Sequence, residues 1–324
     1  MFSIVPLGVA SALPTLDRHF SATALVREGH VFLFDCGEGT QLQLARAGIK
    51  RPRIEAIFIT HLHGDHVFGL PGLLSTLALL DHDRPLRIVG PAGLREALAA
   101  FMQPSGERGI PYPIEYVVLD PGFEHAVVLD TPEYRVEARP LAHSIFAAGY
   151  RFEEKPRPGP LDPEKAQSLG VTDVKDFKRL KAGEAVAVAG GVVTPQDVLG
   201  APLPGASFAY VTDTKPCESG VRLADHADLL YHEATFREAD ARRAGETGHA
   251  TAREAAEVAR KANAGRLLLG HFSARYDAAG IQALLNEARD IFQNTGAAEE
   301  LKRYPVEPIG ATAGERSASR RTAP

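Results

Sequence analysis

Short apolar runs separated by Gly, Pro and Ser alternate along the chain with longer stretches of helical periodicity. Runs of the first kind predict β-strands, and stretches of the second kind predict helices. The predicted strands cover residues 2–7, 22–26, 31–35, 54–60, 87–89, 117–119, 126–129, 134–141, 208–212, 229–232 and 266–269. The predicted helices cover residues 40–47, 70–80, 93–102, 252–262 and 278–292. Strand meanders and strand–helix units occur in both halves, and one predicted meander covers residues 117–141. This pattern predicts an α/β fold with two packed sheets and helices outside.

Two segments depart from this pattern. Residues 153–205 are Pro-rich, charged and Gly-rich, and the sheet pattern resumes only at Phe208. An interruption of this length between two core strands predicts a protruding arm rather than a linker. Residues 305–324 are rich in Ala, Ser, Arg and Gly without periodicity, which predicts a disordered tail. The expected organisation is therefore one domain over residues 1–304 with the arm inserted in it.

Composition narrows the class of protein. Hydrophobic residues make up 44% and charged residues 24% of the 324 positions, as in ordinary soluble proteins. The net charge of −5 gives no global signature of nucleic-acid binding, so such a role needs a local basic patch. Cys36 and Cys217 offer no disulfide framework, and neither a signal peptide nor an apolar run of about 18 residues is present. We therefore expect a soluble cytoplasmic protein.

The sequence HLHGDH at 61–66 follows a predicted apolar strand and concentrates three imidazoles and a carboxylate. Imidazole and carboxylate are ligands that a borderline divalent ion such as zinc accepts. The spacing differs from the helical His-Glu-x-x-His pattern and suits an irregular turn after a strand. His61, His63, Asp65 and His66 are therefore candidate metal ligands. The alternative is a solvated loop that happens to hold three histidines.

Further ligand types follow other predicted strands. Sites in α/β folds collect beyond the carboxyl ends of strands. The residues at such positions are His143, Asp213, His232, Glu233 and His271. The HLHGDH residues together with His143, Asp213 and His271 give seven ligands, enough for two ions if one carboxylate bridges them. A Gly-x-Ser-x-Gly elbow and a plausible Cys–His pair are both missing from the sequence.

Single residues of this set also have simpler interpretations. His143 is compatible with capping a turn, and Asp213 in Thr-Asp-Thr with an Asx-turn. His249 precedes the capping-box sequence TARE at 251–254, so it is also compatible with a polar residue ahead of a helix.

Several motifs together resemble a known family. HLHGDH is the signature of the metallo-β-lactamase superfamily, whose members include lactamases, glyoxalase II, lactonases and nucleases. FDCGEGTQ at 34–41, HEAT at 232–235, GHAT at 248–251 and GHFSARY at 270–276 narrow the resemblance to ribonuclease Z, the tRNA 3′-processing endoribonucleases. The motifs run in the family's order from about residue 4 to residue 293.

This resemblance implies a site and a fold. One zinc ion would be held by His61, His63 and His143, the other by Asp65, His66 and His271, with Asp213 bridging both. Asp65 would also act as general base, and Glu233 and His249 would form a pair near the scissile phosphate that either supports the ligands or donates a proton. The implied fold is the αββα sandwich, and the implied assembly is a homodimer.

The resemblance also implies a substrate and a role for the arm. The chain would cleave precursor tRNA on the 3′ side of the discriminator base and leave a 3′-hydroxyl on the tRNA. The arm would bind tRNA, and its segment KDFKRLK at 175–181 supplies the cations Lys175, Lys178, Arg179 and Lys181. On charge alone, this segment is also compatible with a solvated helix face.

The sequence departs from the family's motifs at two places, and two other functions remain compatible with it. Leu16 and His19 stand where the family's Pro-x-Lys-x-Arg-Asn loop has Lys and Asn, which leaves the treatment of a 3′-terminal CCA open. The arm near residues 170–173 lacks the family's Gly-Pro pair. The other functions are a small-molecule hydrolase of the superfamily, acting on a thioester, lactone or cyclic phosphodiester, and a non-catalytic RNA-binding protein.

Overall fold

The computed structural model describes residues 2–102 and 110–309, whose strands form two large sheets. From edge to edge the first sheet contains β18 (Tyr304–Val306), β1 (Phe2–Gly8), β3 (Ala22–Arg27), β4 (His30–Phe34), β5 (Ile54–Phe58), β6 (Leu86–Pro91) and β7 (Ile114–Leu119). The second contains β17 (Thr295–Ala297), β15 (Leu267–Gly270), β14 (Leu229–Glu233), β13 (Ser207–Val211), β10 (Ala147–Glu154), β9 (Tyr134–Leu141) and β8 (Ala126–Asp130). Two small pairs join β2 (Ala10–Ser11) to β16 (Phe272–Ser273) and β11 (Val186–Val188) to β12 (Gly191–Val193).

The helices lie between these strands along the chain. They are α1 (Thr40–Arg46), α2 (Gly64–Val67), α3 (Leu70–Leu79), α4 (Leu94–Met102), α5 (Pro163–Ser168), α6 (Val174–Lys181), α7 (Pro195–Val198), α8 (Glu218–Leu223), α9 (Ala241–Thr247), α10 (Ala252–Lys261) and α11 (Ala278–Arg289). Short 3₁₀ turns cover Arg51–Arg53 and Glu238–Asp240. Within the described ranges, none of these helices is long and apolar enough to cross a membrane.

The two large sheets pack face to face through aromatic side chains. The ring centroids of Phe34 and Phe208 lie 5.5 Å apart. The Tyr150 hydroxyl of the second sheet donates a hydrogen bond at 2.6 Å to the carbonyl of Ile59, which directly follows β5 of the first sheet. Apolar side chains of α1, α3 and α4 cover the outer face of the first sheet, and α10 and α11 cover that of the second. The predicted αββα sandwich is therefore confirmed.

β10 and β7 of the large sheets differ from the pattern-based prediction. The pattern does not predict β10, because it begins Ala-Ala-Gly and ends Glu-Glu, which leaves only Tyr150 and Phe152 as large apolar residues. β7 pairs in parallel with β6 in the first sheet, whereas β8 pairs with β9 in the second. The single meander predicted over residues 117–141 is therefore wrong, since the chain changes sheets after Leu119.

The predicted arm emerges between two paired strands. β10 and β13 are antiparallel neighbours, with Glu153 opposite Ser207, and β10 continues to Glu154. The inserted segment is therefore residues 155–205, two residues shorter at its start than predicted. It holds α5, α6, α7, β11 and β12. These elements pack around a small apolar cluster formed by Ala166, Val171, Leu180, Val186, Val193 and Val198.

The disordered tail predicted from residue 305 includes residues that the structure shows to be ordered. Tyr304–Val306 adds an edge strand to β1, with Phe2 opposite Val306, and the Ile309 amide donates a hydrogen bond to the Asp228 carboxylate. Backbone pairing at an edge strand needs no apolar periodicity, so the sequence pattern gives no sign of it. The rest of the predicted tail, residues 310–324, lies outside the described residues.

Candidate metal centre

All seven predicted metal ligands lie close together where strands of both sheets end. His61 and His63 follow β5, His143 follows β9, Asp213 follows β13 and His271 follows β15. His61 and His63 lie in an irregular segment after β5, as expected, whereas Asp65 and His66 lie on the one-turn helix α2, so the irregular part of the motif is shorter than predicted. Both sheets must therefore be in place before the cluster exists.

The first group of ligand atoms comprises those of His61, His63, His143 and Asp213, all within 4.8 Å of one another. Asp213 Oδ2 lies 3.6 Å from His61 Nε2 and 3.8 Å from His143 Nε2. The atom of His63 that faces this group is Nδ1, which lies 2.9 Å from His61 Nε2. Three imidazole nitrogens and a carboxylate oxygen therefore face one small volume.

The second group comprises Asp65, His66 and His271, again within 4.8 Å of one another. The other oxygen of Asp213, Oδ1, lies 3.2 Å from His66 Nε2 and 3.1 Å from His271 Nε2. Asp65 Oδ2 lies 3.6 Å from His66 Nε2 and 3.9 Å from His271 Nε2. Because its two oxygens face different groups, Asp213 is placed to serve both.

The chemistry of these atoms fits bound cations. The Nε2 atoms of His66 and His271 are buried and have no hydrogen-bond partner among the described residues. A buried polar atom without a partner is costly, and a cation would satisfy both nitrogens. Despite burial, the neighbouring histidines hold the pKa of Asp213 well below its ordinary value. An ionised carboxylate among imidazoles is the donor set that a borderline divalent ion prefers.

Asp35, which sequence reasoning missed, supports the ligands from the end of β4. Its Oδ2 accepts hydrogen bonds from His66 Nδ1 at 2.8 Å and from the Tyr210 hydroxyl at 3.2 Å. Its Oδ1 accepts a hydrogen bond from the Thr60 amide at 2.8 Å. Asp35 is the last residue of the strand predicted over 31–35, so a rule that selects residues beyond a strand end passes over it.

Three residues of the centre have left-handed backbone conformations. The φ angles are 58° at Asp35, 47° at Asp213 and 55° at His271. Residues other than glycine adopt this region at a cost, and such residues cluster at functional sites. Each of the three ends a strand, so the unusual conformation turns the chain where its side chain meets the cluster.

Glu233 and His249 form a hydrogen-bonded pair beside the cluster. His249 Nδ1 lies 3.0 Å from Glu233 Oε1. Glu233 also accepts hydrogen bonds from the Thr214 amide, the Ala250 amide and the Thr235 hydroxyl at 2.6, 3.1 and 2.6 Å. Four donors leave the buried carboxylate ionised. Although burial opposes it, this charge raises the pKa of His249 to about 9.

His232, the other candidate beside Glu233, lies outside the cluster. Its side chain is on the opposite face of β14 from Glu233, as strand alternation requires. It is buried, and its Nδ1 donates to the Glu233 carbonyl at 2.8 Å. It therefore serves packing rather than ligation.

The loop at residues 12–19 closes one side of the centre. The Ala12 amide donates to Asp65 Oδ2 at 3.0 Å, and the Arg18 guanidinium donates to the Tyr276 carbonyl at 2.7 Å. His19 Nδ1 lies 2.7 Å from Glu300 Oε2. Leu16 is fully exposed at the tip. The stem of this loop is therefore fixed against the centre, while its tip is exposed to solvent.

The four predicted arm cations lie on α6, in the inserted segment. All four side chains are exposed. Arg179 is paired with Glu184 at 3.0 Å and with Asp176 at 3.3 Å. Lys175, Lys178 and Lys181 have no ion-pair partner within residues 2–102 and 110–309. The lysines are therefore the cations available for an external anion.

Two family models match parts of the sequence. Residues 2–103 match the family described as anti-Pycsar protein Apyc1, and residues 160–272 match the one described as β-lactamase superfamily domain. Neither match covers half of the chain.

Individual relatives match nearly the whole chain. A ribonuclease Z from Salinibacter ruber is 51% identical over 307 residues, which cover 94% of this chain and 94% of that protein. A ribonuclease Z from Methanothermobacter thermautotrophicus is 41% identical over 306 residues, which cover 94% and 97%.

Solved structures agree with these relatives. The short form of human tRNase Z is 31% identical, with a TM-score of 0.67 over 95% of this chain and 100% of that chain. The metallo-β-lactamase fold protein YhfI from Bacillus subtilis has a TM-score of 0.65 over 94% and 98%; at 17% identity this likeness concerns the fold alone. The chain has the metallo-β-lactamase fold and belongs to the ribonuclease Z family.

Proposed function

We propose that the protein is an endoribonuclease that removes 3′ trailers from precursor tRNA. It hydrolyses the phosphodiester on the 3′ side of the discriminator base and leaves a 3′-hydroxyl on the tRNA. The observation that carries this proposal is the complete set of seven ligands in a chain 51% identical to a ribonuclease Z. The similarity to a tRNase Z structure supports the same substrate.

We further propose that the centre holds two zinc ions. His61, His63 and His143 would hold one, Asp65, His66 and His271 the other, and Asp213 both. A pair of bound zinc ions supplies Lewis acidity, which polarises a phosphate and lowers the pKa of water toward neutrality. The separate directions of the two Asp213 oxygens support the bridging role.

Asp65, Glu233 and His249 complete the proposed catalytic machinery. Asp65 Oδ2 is held by the Ala12 amide, and within the described residues Oδ1 has no hydrogen-bond partner, so it is free to accept a proton from the attacking water. Both Glu233 oxygens already accept hydrogen bonds, so we propose that Glu233 orients the His249 ring rather than taking up a proton itself. His249, with its Nδ1 on Glu233, is left with Nε2 to donate a proton to the leaving oxygen.

The arm is the proposed RNA-binding element. Lys175, Lys178 and Lys181 project from α6 without ion-pair partners on the part of the chain that the structure describes, and Arg179 lies beside them. Such cations bind RNA phosphates irrespective of sequence. The arm would therefore contribute affinity for the tRNA body rather than chemistry at the scissile bond.

We also propose a homodimer in the cytoplasm. Leu42, Phe68, Leu79 and Phe101 lie on the helical layer that covers the first sheet, and each is more than half exposed. The rings of Phe68 and Phe101 are in contact at 5.6 Å. Exposed apolar side chains on neighbouring helices suit an interface between copies. The cysteines Cys36 and Cys217 are both free thiols, which suits a reducing compartment.

A direct test incubates the purified protein with a 3′-extended precursor tRNA and maps the new ends. The expected product ends in a 3′-hydroxyl at the discriminator base, and a chelator abolishes its formation. Intact precursor, together with hydrolysis of a thioester, lactone or cyclic phosphodiester, would refute the proposal and favour a small-molecule hydrolase.

A further inference from the structure

A histidine binds a metal through a nitrogen lone pair, so the proton of the neutral ring must sit on the other nitrogen. The Nε2 atoms of His61, His66, His143 and His271 face Asp213. The Nδ1 atoms of His66 and His143 lie 2.8 Å from an Asp35 oxygen and from the Gly248 carbonyl. Both partners can only accept, so these two rings carry their proton on Nδ1.

His61 and His271 are different, because their Nδ1 atoms lie against hydroxyl groups. Thr60 Oγ1 is 3.0 Å from His61 Nδ1, and Thr235 Oγ1 is 2.9 Å from His271 Nδ1. A hydroxyl can donate or accept, so this contact alone does not determine which ring nitrogen is protonated.

The next neighbour of each hydroxyl decides the matter. Thr60 Oγ1 lies 2.9 and 3.1 Å from the two oxygens of Asp35. Thr235 Oγ1 lies 2.6 Å from Glu233 Oε2 and 3.1 Å from the His271 carbonyl. All these oxygens only accept, and each hydroxyl has a single proton to give them. The hydroxyl therefore presents a lone pair to the imidazole, and Nδ1 must donate.

We infer that the Thr60 and Thr235 hydroxyls, each oriented by a carboxylate, fix His61 and His271 in the tautomer that leaves Nε2 free for a metal. Thr60 follows β5 and serves the first ligand group, while Thr235 follows β14 and serves the second. Both are buried. The two threonines are thus positioning residues, and each follows a strand of a different sheet and links a carboxylate to a histidine. The inference rests on the proposed metal centre.

The test compares Thr60→Val and Thr235→Val, which remove the hydroxyl at nearly constant volume, with the serine variants, which keep it. Thr23→Val is a matched control, because Thr23 is buried and its hydroxyl has no partner among the described residues. In the metal-free full-length chain with ¹⁵N-labelled histidines, the ring nitrogen shifts report the tautomers. At pH 9 we expect Nδ1-protonated rings at both positions in the unaltered protein, the serine variants and the control.

In each valine variant we expect only the ring beside it to change, to a mixture of tautomers or to protonated Nε2. Zinc affinity measured by competition with a chelator should fall about 10–100-fold in the valine variants, the usual effect of losing such a support. The serine variants should recover most of it. If a valine variant fails to fold, the alanine variant replaces it with the same expectation.

Unchanged tautomers in the hydroxyl-free variants, or serine variants as weak in zinc binding as valine ones, would overturn the inference. Neither measurement uses RNA. A protein that fails to cleave precursor tRNA but shows these shifts would therefore contradict the proposed substrate and leave the role of the threonines intact.

Discussion

The metal centre and the arm, which we propose to contact different phosphates of the RNA, are built in opposite ways. In the centre, buried side chains from both sheets hold one another, and Asp213 alone faces four histidines. On the arm, exposed lysines project separately from one short helix over a small apolar cluster. Substitutions in the centre should therefore have coupled effects, because the side chains contact one another. Substitutions of the arm lysines should have additive effects on binding, because these side chains do not.

The largest effect should follow Asp213→Ala. Removing the one carboxylate that faces both ligand groups takes away the negative charge that the two groups share. We expect metal content to fall from about two equivalents per chain to well below one, and cleavage to become undetectable. Elemental analysis and precursor cleavage measure the two quantities. Asp225→Ala, at an exposed position, is the control, and full zinc content in Asp213→Ala would show that the carboxylate does not bridge.

Replacing His249 or Glu233 should separate chemistry from metal binding. We expect His249→Ala and Glu233→Gln to lower kcat roughly 10²–10⁴-fold, the usual contribution of a proton donor or its orienting partner. Metal content should stay near that of the unaltered protein. His249 also lies close enough to Asp213 and His271 to act as a ligand. Loss of one equivalent of zinc in His249→Ala would therefore reassign it to the metal.

Changing Lys175, Lys178, Arg179 and Lys181 together to Ala should affect binding only. Each lost phosphate contact lowers the slope of log KM against log salt concentration by about one. Only the three lysines have no ion-pair partner within the described residues, so we expect KM for precursor tRNA to rise and this slope to fall by about three. Hydrolysis of a nitrophenyl phosphodiester, which is too small to reach the arm, should not change.

Single variants sharpen this expectation. Because Arg179 is already paired with Asp176 and Glu184, Arg179→Ala should alter the salt slope less than Lys178→Ala. Equal tRNA affinity and equal salt slopes in the quadruple variant and the unaltered protein would exclude the arm as an RNA-binding site.

The smallest effect on catalysis should follow Leu180→Ala in the arm's apolar cluster. Leu180 is fully buried there, and truncation of a buried leucine typically costs about 2–5 kcal/mol. The cluster is separate from the two main ones, so we expect hydrogen exchange to rise in residues 155–205 alone. Zinc content and nitrophenyl diester hydrolysis should be unaffected. A matching rise in exchange within β13 or β15 would show that the arm and the core unfold together.

The sequence predicts which side chains gather at the centre better than it predicts the residues that support them. A ligand type directly after an apolar strand is a local signal, and it selects His61, Asp213 and His271 without knowledge of the fold. The threonine hydroxyls give no such signal, because Thr60 and Thr235 acquire their partners only when β4, β5, β14 and β15 are assembled. Their role depends on contacts between segments, such as Thr235 with His271 across 36 positions.

The same limit applies to the fold. Amphipathic helices and alternating strands reveal themselves locally, and most of them lie where the pattern predicts. β10 does not, because its buried Glu154 is satisfied by Arg27 from the first sheet, at 2.8 Å. The partner of Glu154 lies 127 positions away in the sequence, so the residues around Glu154 predict an exposed position.

The left-handed conformations at Asp35, Asp213 and His271 have a consequence for engineering. Strain of this kind typically costs about 1–3 kcal/mol per residue, against a total stability of about 5–15 kcal/mol for a domain. Glycine would adopt the same angles without strain, so selection for thermal resistance alone would favour glycine at the very residues that make the site. A heat-resistant variant that keeps its activity must therefore gain its melting temperature elsewhere, for example on the outer helices.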